Sequence, residues 1–152
     1  MKITNALSYY HDVGVRDICK AVKTNDVVAT NIIAEHLITG GMVSDDSILI
    51  PAPQHYGFAT YTKTICEKIA LETGCKVADI LRCIPHESIY QQKLYGKQPS
   101  ITYYINGIIP QGKLFFVDNV ISTGLSFYKA NQLFGFSLTP LVYAVDETRV
   151  QL

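Results

Sequence analysis

Apolar residues in this chain form short continuous runs separated by longer periodic stretches. A short run bounded by Gly, Pro or polar residues is typical of a strand that is buried on both faces of a parallel sheet. Such runs predict strands at residues 47–53, 76–81, 101–105, 113–117 and 138–145. Pro140 interrupts the last run and indicates an edge strand or the start of a strand, because proline cannot donate to the ladder.

Helical spacing of apolar residues fills most of the intervals between these runs. It predicts helices at residues 6–22, 26–39, 58–73 and 124–134. Gly14 weakens the first helix, whereas Asn25 or Asp26 can cap the second. Glycines end the second, third and fourth helices, at Gly40, Gly74 and Gly135. Residues 85–99 are polar and are predicted to form a long loop, with a helical turn as an alternative.

Alternation of strands and helices predicts a single α/β domain over residues 1–152, with a parallel sheet. Ligands of such sheets bind beyond the carboxyl ends of the strands. Two predicted strand ends carry polar side chains there. PAPQHYG follows Ile50, and DNVISTGLS follows Val117.

Composition narrows the classes of partner. The 152 residues include 13 basic and 13 acidic side chains, so binding to nucleic acid through phosphate charge is not expected. The four cysteines form no C-x-x-C pair and are expected to be reduced and buried. The N-terminus lacks the apolar core of a signal peptide, and no apolar run approaches the ~20 residues of a membrane span. We therefore expect a cytoplasmic protein with no membrane partner.

The second strand end combines a carboxylate with hydroxyl groups and a glycine. Asp118 can accept hydrogen bonds from sugar hydroxyls or lie near a metal ion. Residues 122–126 then offer three hydroxyls and successive N–H groups at the start of a helix, which is a ready anion site. This order of groups suits a ribose 5-phosphate. Spacing alone leaves open the simpler alternative, in which Ser122 or Ser126 caps a helix and Asp118 begins a turn.

The stretch VDNVISTGLS resembles the motif with which type I phosphoribosyltransferases bind 5-phosphoribosyl 1-pyrophosphate (PRPP). In that family a strand runs into two acidic residues and a Thr-Thr-Gly-x-Thr-like loop. The resemblance implies a Rossmann-like parallel sheet flanked by helices and a ribose contact by the catalytic residues Asp118 and Asn119. It also implies a 5′-phosphate loop made of Ile121, Ser122, Thr123, Gly124, Leu125 and Ser126.

The stretch ILIPAPQHYGFATYT resembles the corresponding strand end of the ComF-like branch of this family. There the resemblance implies contact with pyrophosphate by Ala52, Pro53, Gln54, His55, Tyr56 and Gly57. Residues 81–97 fall where the wider family has a mobile loop, so Arg82 and the catalytic candidate Lys93 are expected to meet pyrophosphate. The alternatives are an ordinary loop histidine at His55, a solvated Lys93, and an ion pair between Arg82 and Glu87.

The resemblance implies an enzyme that transfers the 5-phosphoribosyl group from PRPP to a nitrogenous base and releases pyrophosphate. Mg²⁺ is the expected cofactor, held mostly by the substrate, with Asp118 as a weak protein ligand. The acceptor base stays open, and a homodimer is common in the family.

The chain departs from the family pattern at three points. Asn119 replaces the second acid, the arginines that ComF-like proteins carry after this strand end are missing, and so is their N-terminal cysteine cluster. The first two departures favour a second hypothesis. The alternative is a non-catalytic ComF-like protein that binds PRPP or a nucleotide in a regulatory or DNA-uptake role. A Rossmann dinucleotide site is not favoured, since no G-x-G-x-x-G follows the first strand.

Overall fold

A computed structural model describes residues 3–149. Its main sheet has five strands, all parallel, in the order β1-β7-β6-β2-β3, and β4 and β5 form a separate antiparallel pair. The strands are β1 (Leu7–Ser8), β2 (Ser47–Pro51), β3 (Lys76–Val77), β4 (Leu81–Cys83), β5 (Tyr103–Ile105), β6 (Lys113–Ile121) and β7 (Leu138–Val145). The predicted α/β class and parallel sheet are confirmed.

Five α-helices accompany these strands in the described part of the chain. They are α1 (Val13–Ala21), α2 (Val27–Thr39), α3 (Tyr61–Thr73), α4 (Ile89–Leu94) and α5 (Leu125–Leu133), and a 3₁₀ turn at Val22–Thr24 follows α1. Asp26 caps α2 by accepting a hydrogen bond from the Ala29 amide at 2.8 Å, and Gly74 ends α3 in the left-handed conformation. Both positions agree with the sequence. None of the described helices is long and apolar enough to cross a bilayer.

The central strand β6 divides the core into two layers, since alternate side chains of a strand point to opposite faces. Phe115 and Val117 pack with apolar residues of α1, α2 and α3. Leu114 and Phe116 pack instead with α5 and with the β4–β5 pair. This double coverage explains why the strand is a nearly continuous apolar run.

Some predicted boundaries are wrong. The first predicted helix starts at Val13 rather than at residue 6, because residues 7–8 pair with β7 as a short strand. The run at 76–81 divides into β3, inside the sheet, and β4, which pairs with β5 outside it. Residues 89–94 form a helix, which Ser88 and Gln91 begin with a capping box. Pro140 is the third residue of β7, where β6 is the only neighbouring strand in the described region, because β1 pairs only with Ala144 and Val145.

Candidate functional site

The two polar strand ends singled out by the sequence meet at one edge of the sheet. Strands β2 and β6 are neighbours, Pro51 is in register with Val117, and the Ala52 amide donates to the Val117 carbonyl at 2.9 Å. A large cavity of about 590 Å³ lies over β6 and the start of α5. A smaller one of about 220 Å³ lies between the β2 loop and β6. Asp118, Ser126 and Lys23 line both cavities, so the two form one cleft.

Asp118 lies within the sheet, not beyond it. The prediction that the strand ends at Val117 is wrong, because pairing with β7 continues to Ile121. The carboxylate is half-buried and accepts a hydrogen bond from the Asn119 amide at 2.8 Å. Burial raises the pKa of Asp118 to about 7, although the Asn119 amide and the Lys23 ammonium both lower it. A carboxylate with a raised pKa in a cleft is a common mark of a functional site.

Asn119 points into the protein. Its side chain is only 2% exposed. The amide group donates to the Cys19 carbonyl of α1 at 2.9 Å, and its oxygen accepts from the Val120 amide at 2.9 Å. The amide nitrogen therefore fixes α1 against β6, while the oxygen is bonded within β6 itself. Asn119 is among the residues that line the small cavity, but both of its side-chain polar atoms are bonded inside the protein, so the ribose role stays a prediction.

A loop of backbone amides is made by residues 122–124 together with the first turn of α5, residues 125–127. Gly124 precedes the helix with a φ of 87°. A residue with a side chain adopts this backbone angle only with strain. The first intrahelical bond runs from the Tyr128 amide to the Gly124 carbonyl, and the Leu125 amide donates to the Thr123 hydroxyl at 3.3 Å. The amides of Ser126 and Phe127 have no acceptor within residues 3–149. Neither Ser122 nor Ser126 caps the helix, so the simpler alternative for these serines is not what the structure has.

The loop after β2 is braced by its own side chains. The amide nitrogen of Gln54 donates to the Ala52 carbonyl at 3.0 Å, and its oxygen accepts from the Thr60 hydroxyl at 2.9 Å. Gly57, at a φ of 128°, accepts a hydrogen bond from the Cys83 amide. From the predicted pyrophosphate set, the small cavity is lined by Pro53, Gln54 and His55. Ala52, Tyr56 and Gly57 do not line either cavity and instead build the loop.

The two predicted cations do not reach the cleft. The Arg82 guanidinium lies 2.9 Å from the Asp79 carboxylate and also donates to two backbone carbonyls. Its partner is therefore Asp79, whereas Glu87 pairs with Lys97 at 3.0 Å. Lys93 is exposed in the last turn of α4 and lines neither cavity.

The large cavity is also lined by residues that the sequence does not assign to a site. The basic ones are Lys20 in α1, Lys23 in the 3₁₀ turn, and Arg149. The others include Tyr9, Tyr90 and Asp146. Asp146 could have been found, since it directly follows β7 and ligands bind beyond strand ends. Lys20 and Lys23 are three residues apart, a helical spacing, but nothing in the sequence indicates that this face turns towards β6.

A divalent cation would find few protein ligands here. Asp118 and Asp146 are the acidic side chains of the large cavity. Among residues 3–149 no group of three or more His, Cys, Asp and Glu side chains is placed to hold a metal ion. This donor set fits Mg²⁺ only where a substrate and water supply most of its oxygen ligands, with Asp118 as the protein donor.

Neither the models of known protein families nor the curated proteins include a match to this sequence. The resemblance to phosphoribosyltransferases therefore stays an expectation from the two sequence motifs.

Proposed function

We propose that this protein is a PRPP-dependent phosphoribosyltransferase of the type I fold, related to the ComF-like branch and acting in the cytoplasm. One observation carries the proposal. A half-buried carboxylate, Asp118, lines the same cavity of about 590 Å³ as a loop whose amides at Ser126 and Phe127 have no acceptor within residues 3–149. A sugar phosphate presents hydroxyl donors for the carboxylate and an anion for the amides.

In the proposed complex each part of PRPP meets a different element. The loop amides of residues 122–127 hold the 5′-phosphate, since free N–H groups at a helix N-terminus favour anions. Asp118 accepts hydrogen bonds from the ribose hydroxyls. The pyrophosphate occupies the small cavity beside His55, where Lys23 is the cation that lines the wall. Mg²⁺, when bound, neutralises charge on the departing pyrophosphate.

The chain's contribution to the reaction is orientation and electrostatic stabilisation. The bond between C1 of the ribose and the pyrophosphate oxygen breaks, and its electron pair leaves with pyrophosphate. The lone pair of the acceptor nitrogen forms the new bond to C1. An acceptor nitrogen that carries a proton releases it to water, whereas a pyridine nitrogen carries none and becomes a pyridinium in the product. Asp118 and the loop keep C1 fixed between the two groups while positive charge develops on the ribose.

A second candidate is a protein that binds PRPP or a nucleotide without turnover. It is favoured by the buried Asn119 and by the positions of Arg82 and Lys93 outside the cleft. Such a protein would act in regulation or DNA uptake.

Calorimetric titration with PRPP, with and without Mg²⁺, tests both candidates together with an assay for pyrophosphate release. We expect saturable binding that Mg²⁺ strengthens, and pyrophosphate release in the presence of an acceptor base. Binding without release for any purine, pyrimidine or pyridine acceptor would favour the second candidate. Absence of binding by PRPP and by ribose 5-phosphate would contradict the proposed site.

Ser126→Ala is expected to weaken PRPP binding by about fivefold to tenfold, since one hydroxyl donor among several is worth on the order of 1 kcal/mol. The measurement is the same titration. Ser137→Ala is a matched control, because the Ser137 hydroxyl bonds the Phe134 carbonyl at the opposite end of α5. An equal loss in both variants would assign the effect to helix stability rather than to ligand contact.

A further inference from the structure

The large cavity has more positive charge than its acidic residues balance. Lys20 and Lys23 are exposed and form no ion pair within residues 3–149, while the Arg149 side chain lies 3.5 Å from the Asp146 carboxylate. Asp146 is only 7% exposed, and it also accepts hydrogen bonds from the Thr148 amide and hydroxyl. The negative charge of Asp146 is therefore already balanced by hydrogen bonds and by an ion pair within the protein. The cleft as a whole favours anions.

Under the proposed function, PRPP neutralises only some of the positive side chains of the large cavity. The loop amides serve the 5′-phosphate, and Lys23 lines the small cavity assigned to pyrophosphate. Lys20 and Arg149 line the large cavity but not the small one. Arg149 contacts Asp146 through Nε alone, and its two terminal guanidinium nitrogens have no partner within residues 3–149. Lys20 and these nitrogens are therefore left for a ligand on the side of Asp118 away from the pyrophosphate.

The acceptor is expected on that same side. A nucleophile reaches C1 most directly from the face opposite the leaving group, and effective catalysis requires the reacting atoms to be aligned. With the ribose at Asp118 and pyrophosphate in the small cavity, the opposite face opens into the large cavity. Tyr9 and Tyr90 also line the large cavity and provide aromatic surface against which a planar ring can pack.

We propose that the acceptor is a nitrogen heterocycle that carries a carboxylate, and that Lys20 and Arg149 bind this carboxylate. The inference rests on the proposed function. An anionic ring gains charge-assisted contacts with both side chains, and arginine can hold a carboxylate through two hydrogen bonds. A neutral purine or pyrimidine can accept a hydrogen bond from either cation but gains no charge–charge attraction.

The test compares matched acceptors in the pyrophosphate-release assay, with PRPP and Mg²⁺ present. One pair is pyridine-3-carboxylate and pyridine-3-carboxamide. The other is a dioxopyrimidine carboxylate and the same ring without the carboxylate. We expect kcat/KM for at least one carboxylate to exceed that of its neutral partner by about tenfold or more, the value of one charge-assisted contact.

Single variants then assign the residues. Lys20→Gln and Arg149→Gln are each expected to raise KM for the carboxylate about tenfold, with little change in KM for the neutral ring and in the Kd of PRPP. Lys76→Gln is the control, since Lys76 is an exposed lysine in β3, in register with Ile48 near the amino end of β2.

The outcomes separate this inference from the proposed function. If PRPP binds but the neutral rings react as well as the carboxylates, or no carboxylate reacts, the inference is overturned and PRPP binding stands. If Lys20→Gln and Arg149→Gln weaken PRPP binding rather than acceptor binding, the two cations serve PRPP and the inference is equally wrong. If PRPP itself does not bind to the wild-type protein, the proposed function fails first and the inference fails with it.

Discussion

Asp118→Asn is expected to lower the affinity for PRPP about 100-fold at pH 8, because an ionised acceptor of two ribose hydroxyls becomes neutral. The amide keeps the size of the side chain, and its oxygen can still accept the hydrogen bond that the Asn119 backbone amide now donates at 2.8 Å. The loss should therefore reflect charge rather than altered packing. Calorimetry with PRPP and Mg²⁺ measures it.

The same variant is expected to be more stable than the wild type at pH 8. Burial raises the pKa of Asp118 from its ordinary value of 3.8 to about 7. Between these two values the folded protein holds a proton that the unfolded chain has lost. The contribution of Asp118 to the free energy of unfolding thus falls as pH rises from about 4 to about 7. Asparagine removes this penalty, which is roughly 3 kcal/mol above pH 7 once partial exposure is allowed for.

Urea unfolding with a chelator present measures this gain at pH 5 and at pH 8. The difference between variant and wild type should be clearly smaller at pH 5 than at pH 8, because pH 5 lies only part of the way between the two pKa values. Asp45→Asn is the matched control, because Asp45 is exposed near the amino end of β2, away from the cleft. Wild-type affinity for PRPP in Asp118→Asn would refute the ribose assignment, and lower stability at pH 8 would refute the raised pKa.

Asn119→Asp is the reverse substitution at the next residue, and it is expected to have the opposite effect on stability. It restores the acid that the family motif carries, yet it replaces the amide that donates to the Cys19 carbonyl at 2.9 Å with a second oxygen. A carboxylate at a position that is 2% exposed would face a carbonyl oxygen without a donor. We expect a loss of about 3 kcal/mol or more in the free energy of unfolding at pH 8.

The loss should shrink at pH 5, because a protonated carboxyl group can donate to the Cys19 carbonyl in place of the amide. Urea unfolding at the two pH values tests this. We also expect no gain in Mg²⁺ or PRPP affinity, since the new side chain points at α1 rather than into the cleft. A variant as stable as the wild type at pH 8, or one that binds PRPP more tightly, would show that residue 119 can turn towards the ligand.

The sequence predicts local features of this fold better than it predicts the residues that meet across it. The capped start of α2, the buried run of β2 and the glycine that ends α3 each depend on neighbouring residues, and all three appear as expected. The split between β3 and β4 does not follow from the apolar run at 76–81. β3 pairs with β2 and β4 pairs with β5. The choice of neighbouring strand is set by tertiary structure and not by the local sequence.

The cations of the site show the same limit. The family pattern predicts Arg82 and Lys93 as site cations, but Asp79 pairs with Arg82, and Lys93 is exposed to solvent. Lys20 and Arg149 come from distant parts of the described chain, and they line one cavity because α1 and the segment after β7 both border it. No periodicity or motif in a single sequence predicts that they share a cavity.

Because β6 extends to Ile121, one part of the cleft has a backbone fixed in the sheet and another part does not. Asp118 lies within the ladder with β7, so its backbone amide should exchange with solvent only when the sheet itself opens. Ser126 and Phe127, with amides that lack an acceptor in the described structure, should exchange within the folded state. The entropy lost when a phosphate is captured would then fall almost entirely on the loop, and the ribose contact would be formed by a side chain that is already in place.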